Sequence, residues 1–223
     1  MTQLWLALLA GSAVTTALSL FLVGAEPQAL ALSLSGYLLG ALLTAKLLSR
    51  GYPHAFLGLG NLTTLFRMAM VASLLAPVIG GVTPWPVVII ATIALVLDGV
   101  DGWFARREGR VSSFGARLDM EVDSAISVVL ALNVFASGVG PWVLLLAAPR
   151  YIFVAAARFL PWLAAPLKES LARKVICVVQ VAGLIALNAP ILPGWLFLPV
   201  AAGVAGALIW SFGRDIIWLW KTK

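Results

Sequence analysis

The chain is 223 residues long, 62% of them hydrophobic and 11% charged, with a mean hydropathy of +1.04. An ordinary soluble domain is about 25% charged, so these values exclude disordered, collagen-like and disulfide-scaffold classes and leave a polytopic membrane protein. The formal charge of +6 does not indicate nucleic acid, because a basic binding surface needs far more polar residues than this chain carries, and the one cysteine, Cys177, reads as a small buried hydrophobe in an apolar run.

A hydrocarbon core of about 30 Å is crossed by roughly 20 apolar residues in helical form. Eight such stretches run near 4–24, 28–46, 62–80, 86–105, 114–137, 142–160, 174–189 and 195–213, which predicts an all-α transmembrane bundle of about eight helices. The first is read as a span rather than a signal peptide, since no charged n-region precedes it and its apolar run is too long. Alternate breaks are short and carry turn chemistry: Glu26-Pro27, Gly80 to Pro84, Ser137 to Pro141 and Pro190 to Gly194. The other breaks are basic, with Lys46 and Arg50, then Arg106, Arg107 and Arg110, then Lys168 and Arg173, then Lys221 and Lys223. The positive-inside rule therefore predicts both termini and the basic loops on the cytoplasmic side. Trp85, Trp142 and Trp195 fall at the opposite boundary, whereas Trp5, Trp103, Trp162, Trp218 and Trp220 fall near the basic one, as interfacial belts do. The Gly36/Gly40 and Gly203/Gly206 pairs predict close helix packing within the chain.

Four of the five aspartates lie between Asp98 and Asp123. Ionised carboxylates inside a membrane are costly, so four of them need a strong counter-charge. Spacings of three and four residues put Asp98, Asp101 and Ala105 on one helix face, and Gly115, Asp119 and Asp123 on one face of the next. A short basic loop, 107–113, predicts antiparallel neighbours whose acidic faces meet near the cytoplasmic boundary. Two hard divalent ions, Mg²⁺ or Mn²⁺, are the partners such oxygen donors favour, and a pair about 4 Å apart suits displacement at phosphorus. Gly102, Ala105 and Gly115 leave bare backbone for a bulky ligand, and Arg106 offers a forked contact to phosphate. The alternative partners for the acids are Arg106, Arg107, Arg110 and Arg117 as helix-end salt bridges. Glu121 falls on another face, Glu108 reads as a loop charge, Asp215 beside Arg214 as an exposed pair, and His54 as a solvated loop residue.

The segment from Asp98 to Asp123 reads D-x-x-D-G-x-x-A-R, eight residues, G, three residues, D, three residues, D. It resembles the signature of the CDP-alcohol phosphotransferase family, with all eight fixed positions filled. Asn61, Thr64 and Arg67 are similar to an N-x-x-T-x-x-R element of bacterial members, with Gly60 where Pro is often found. Lys174, Cys177 and Gln180 resemble a K-x-x-T-x-x-Q element, with Cys for Thr. The resemblance implies a six-helix catalytic unit within residues 57–223, preceded by two transmembrane helices in 1–56 to which it assigns no role. It implies a homodimeric enzyme of the bacterial or archaeal cytoplasmic membrane, active at the cytoplasmic face, that uses CDP-diacylglycerol or another CDP-alcohol. Asp98, Asp101, Asp119 and Asp123 would hold the metals and Asp123 would also be the general base. Gly102, Ala105, Arg106 and Gly115 would line the CDP pocket, with Asn61 and Arg67 contributing.

The acceptor is less specified. Arg150, read as about eight residues into its helix, is an intramembrane cation and so an acceptor candidate, joined by Arg158 and Lys174. Such cations suit a phosphorylated alcohol, glycerol 3-phosphate first, with inositol phosphate, serine or a lipid alcohol as alternatives. The rival class is a cation transporter, which would spread its acids across the membrane depth.

Overall fold

The computed structural model describes residues 2–49, 52–54, 56–81, 83–109, 111–167 and 170–222. Arg50, Arg110, Lys168 and Lys223, expected in the basic loops, lie outside the described residues. The order is α1 (Thr2–Val23), α2 (Pro27–Ser49), α3 (Gly58–Ser73), α4 (Ala76–Gly80), α5 (Pro84–Arg107) and α6 (Ser113–Ala136). A 3₁₀ turn (Pro141–Leu146), α7 (Pro149–Phe159), a second 3₁₀ turn (Pro161–Ala164), α8 (Leu171–Asn188) and α9 (Gly194–Lys221) follow. The described residues contain no strand, as expected of a helical membrane bundle. Six spans, with α3 and α4 counted as one, are long and apolar enough to cross a bilayer. The chain is an integral membrane protein. α6 is as long as α5, but Arg117, Asp119, Glu121 and Asp123 make it the polar member of the bundle.

Two expected spans are broken, and side chains from other helices repair the breaks. The 62–80 stretch divides at Leu74 and Leu75, just before Pro77, which has no N–H to continue the ladder. Fully buried Asn133 of α6 donates to the Leu74 carbonyl at 2.8 Å. The 142–160 stretch divides ahead of Pro149, into a 3₁₀ turn and α7. There Gln180 of α8 donates to the Leu146 carbonyl at 2.7 Å. Buried carbonyls left without partners are expensive in a membrane, so both amides stabilise the breaks that proline imposes.

The N-terminal pair belongs to the same core. Thr15 of α1 approaches the Ala69 carbonyl of α3 at 3.2 Å, Ser19 and Ser33 join α1 to α2, and the Tyr37 hydroxyl donates to the Leu8 carbonyl. Side chains built on Gly36 or Gly40 would run into Leu75 and Met68, so this glycine pair does seat α2 against α3. Gly203 and Gly206 face open space instead, and in the α8–α9 contact it is Gly183 that gives way to Val204.

Candidate active site

α3 forms the floor of the acidic site. Its first turn is fixed from α5: Glu108, at the end of that helix, accepts the Leu59 N–H at 3.1 Å. Helix N-termini leave such donors unsatisfied and favour a carboxylate there. At the next residue, a Cβ on Gly60 would stand 2.9 Å from the Asp101 carbonyl oxygen and 3.1 Å from the Ala105 Cβ. Glycine here lets α3 lie directly on α5. Thr64 and Arg67, each about a turn further along the same face, then reach the aspartates.

Arg67 is 2% exposed, and its donors are committed. Nε donates to the Ala94 carbonyl at 3.0 Å, Nη1 to Asp101 Oδ2 and Asp119 Oδ1 at 2.8 Å each, and Nη2 to Asp123 Oδ1 at 2.6 Å. Asp98 Oδ1 lies 2.7 Å from Nη2, but off the N–H direction, so this buried oxygen has no hydrogen-bond donor. Thr64 Oγ1 stands 3.1 Å from Asp101 Oδ2. The counter-charge that the acids require is thus partly supplied by α3. Arg106, Arg107 and Arg117, expected as the alternative partners, make no ion pair with them among the described residues.

α5 and α6 both pack against α3 and α8 rather than against each other. Their acidic faces nevertheless meet as expected, because carboxylate oxygens of Asp98 on α5 and of Asp119 and Asp123 on α6 share one gap between the helices, and that gap is the site. The gap has a closed side and an open side. Asp101 is 5% exposed, whereas the side chains of Asp98, Asp119 and Asp123 are 27%, 38% and 25% exposed. Carboxylate oxygens of these last three lie within 4.8 Å of one another. This hard-oxygen set, with no nitrogen or sulfur donor in it, fits Mg²⁺ or Mn²⁺. Cys177 of α8 is half-buried, not fully buried as expected, and lies within electrostatic reach of Asp123, Asp98 and Asp119.

The other expected nucleotide residues surround this centre. The α6 N-cap is Ser112, whose Oγ accepts the Gly115 N–H at 3.1 Å. A Cβ at Gly115 would stand 2.7 Å from Asn61 Oδ1. Asn61 is itself tied down, donating to the Tyr52 hydroxyl and the Leu57 carbonyl. Gly102 is half-buried under the exposed Arg106 guanidinium, and Ala105 packs on Gly60. Arg67, expected at the nucleotide, is buried behind the carboxylates instead.

The acceptor candidates are dispersed. Arg150 is the second residue of α7, not a mid-helix cation, because Pro149 restarts the helix. It donates to Glu121 Oε1 at 2.6 Å and also to the Met120 carbonyl and Ser124 Oγ, on a face of α6 away from Asp119 and Asp123. Arg158 and Lys174 are exposed. Asp215, expected as an exposed pair with Arg214, is buried and also binds Arg173 at 2.9 Å. His54 is half-buried edge-on to Tyr52 rather than solvated. A mainly apolar groove of about 240 Å³ between α2, α3 and α6, lined by Gly40, Met68, Leu75, Glu121, Val122 and Tyr151, lies on another face of α6, and none of the four clustered aspartates lines it.

Arg150→Ala is therefore expected to lower Tm by about 3–6 °C through the stranded Glu121, and a second change, Glu121→Gln, to restore much of it. Its kinetic effect should be small and equal for donor and acceptor. A loss confined to acceptor KM would return Arg150 to the acceptor site.

No curated protein and no solved structure matches the chain. The family model for CDP-alcohol phosphatidyltransferase matches residues 57–211, a span that starts just before α3 and contains α3, α5, α6 and α8, the four helices around the carboxylates. With most of its length matched and its acids gathered in that span, the chain belongs to the CDP-alcohol phosphatidyltransferase family and is an enzyme that transfers substituted phosphate groups.

Proposed function

We propose that the enzyme transfers a phosphatidyl group from CDP-diacylglycerol to an alcohol, releasing CMP, at the cytoplasmic face of the membrane. The observation that carries this reading is the convergence of Asp98, Asp101, Asp119 and Asp123 in one gap between α5 and α6, open on one side. Asp98, Asp119 and Asp123, with Asp101 behind them, would hold the divalent ions. Such ions, when bound, withdraw electron density from phosphorus and stabilise the departing phosphate.

The chain's own groups account for the rest. Exposed Arg106 on the rim is available for a forked contact with a phosphate, beside the bare backbone of Gly102. Gly115 keeps the cytidine side free of a Cβ. Asp123 uses Oδ1 for Arg67, which leaves Oδ2 to take the proton of the acceptor hydroxyl. The hydroxyl oxygen bonds to the lipid-side phosphorus, the bond from that phosphorus to the CMP oxygen breaks, and the proton passes to Asp123. The products are a phosphodiester lipid and CMP, and no covalent enzyme intermediate is needed.

A phosphorylated acceptor of the glycerol 3-phosphate class is supported by Lys174, which is exposed about one helical turn before Cys177. A homodimer is what the family resemblance implies, and α7, none of whose residues is fully buried in the single chain, offers it a seam. The deciding experiment incubates the purified protein with CDP-diacylglycerol, Mn²⁺ or Mg²⁺ and a panel of alcohols. Metal-dependent CMP release with glycerol 3-phosphate is expected to exceed release with serine, inositol or water. CMP release that is independent of every acceptor would defeat the proposal.

A further inference from the structure

We propose that Arg67 is a resident counter-cation, a positioning residue that holds the four carboxylates together from their buried side while divalent ions enter from the open side. The inference rests on the metal reading above and deepens it. The geometry gives Arg67 little freedom to leave: it is 2% exposed, and its Nε is tied to the Ala94 carbonyl. Its two Nη atoms touch one carboxylate oxygen from each of Asp98, Asp101, Asp119 and Asp123. A planar fork can span that set, whereas a lysine ammonium is a point charge with three donors. The carboxylates with open faces are the three whose oxygens cluster for a metal, and the closed one, Asp101, is also held by Thr64. Four acids against one guanidinium leave a negative excess that divalent ions can balance. Without Arg67 the metal-free cluster would have no internal cation, and folding itself would come to depend on metal.

The test uses the full chain in detergent, stripped of metal with EDTA and then titrated with Mn²⁺, followed by thermal unfolding and by the Mn²⁺ electron paramagnetic resonance signal. Arg67→Met should lower the metal-free Tm by about 10 °C. Mn²⁺ should recover most of that loss, so that its Tm rise is about twice the wild-type rise or more. A lowered Tm with a wild-type metal response would make Arg67 ordinary packing and overturn the inference, as would an unchanged metal-free Tm. Should Arg67→Met not fold with or without Mn²⁺, Arg67→Lys decides: its Mn²⁺-induced rise should still exceed that of the wild type, and an equal rise overturns the inference. Wild-type protein that binds no Mn²⁺ would sink the metal assignment and this role together. Wild-type binding with equal rises in all variants would sink this role alone.

Discussion

Asp123→Asn is expected to slow CMP release by about 10²–10⁴-fold, the range a positioned general base contributes. The substitution is nearly isosteric, and its carbonyl oxygen can still accept from Arg67 Nη2, the contact that Asp123 makes at 2.6 Å. α3 and α6 should therefore stay joined. Asp98 and Asp119, with Asp101 behind them, remain to bind metal, so Mn²⁺ affinity should weaken without disappearing, and CDP-diacylglycerol should still bind. The measurement pairs initial-rate CMP release with Mn²⁺ titration of the same preparation. Wild-type turnover would remove Asp123 from the base role. Loss of turnover in proportion to lost metal occupancy, with full rescue at saturating Mn²⁺, would reduce it to a ligand.

The acids were legible in the sequence because their message is local. Spacings of three and four residues decide helix faces without knowledge of the fold, and they put Asp98 with Asp101 and Asp119 with Asp123. The apolar stretches were legible for the same reason. What joins the two acidic faces was not, because it comes from another helix: Arg67 is 31 residues before Asp98, and no periodicity relates them. The N-x-x-T-x-x-R resemblance marks Arg67 as a position of interest, but its contacts depend on where α3 lies. The short loop between α5 and α6 brings their acids to one gap, and what the loop could not show is that α3 and α8 pack against both helices beside it.

The remaining differences have particular causes. Pro149 carried a signal for the break before α7, since a proline in a helical pattern ends the helix ahead of it. That break puts Arg150 in the first turn of α7 rather than in mid-helix. Asp215 and Glu108 read as surface charges because their partners, Arg173 and the Leu59 N–H, are contributed by distant segments. Pairing of that kind is invisible until the helices are assembled.

Gly60→Ala is expected to lower turnover by about 10- to 100-fold, although Gly60 lies outside the acidic signature. The added methyl would meet the Asp101 carbonyl oxygen at 2.9 Å, Ala105 Cβ at 3.1 Å and Ala105 N at 3.2 Å. Two of these are backbone atoms of a packed helix and cannot swing aside, so α3 must retreat from α5. That retreat stretches the Thr64 and Arg67 contacts to Asp101, now 3.1 and 2.8 Å, and shifts the floor of the site relative to Asp119 and Asp123. A misplacement of about 1 Å can cost about 100-fold in rate. Gly115→Ala is the informative companion, because its methyl would meet a side-chain atom, Asn61 Oδ1 at 2.7 Å, rather than backbone. It should raise the KM for the CDP-lipid more than it lowers kcat, whereas Gly60→Ala should lower kcat with KM little changed. Wild-type kcat in Gly60→Ala would show that the α3–α5 contact does not set the geometry of the carboxylates.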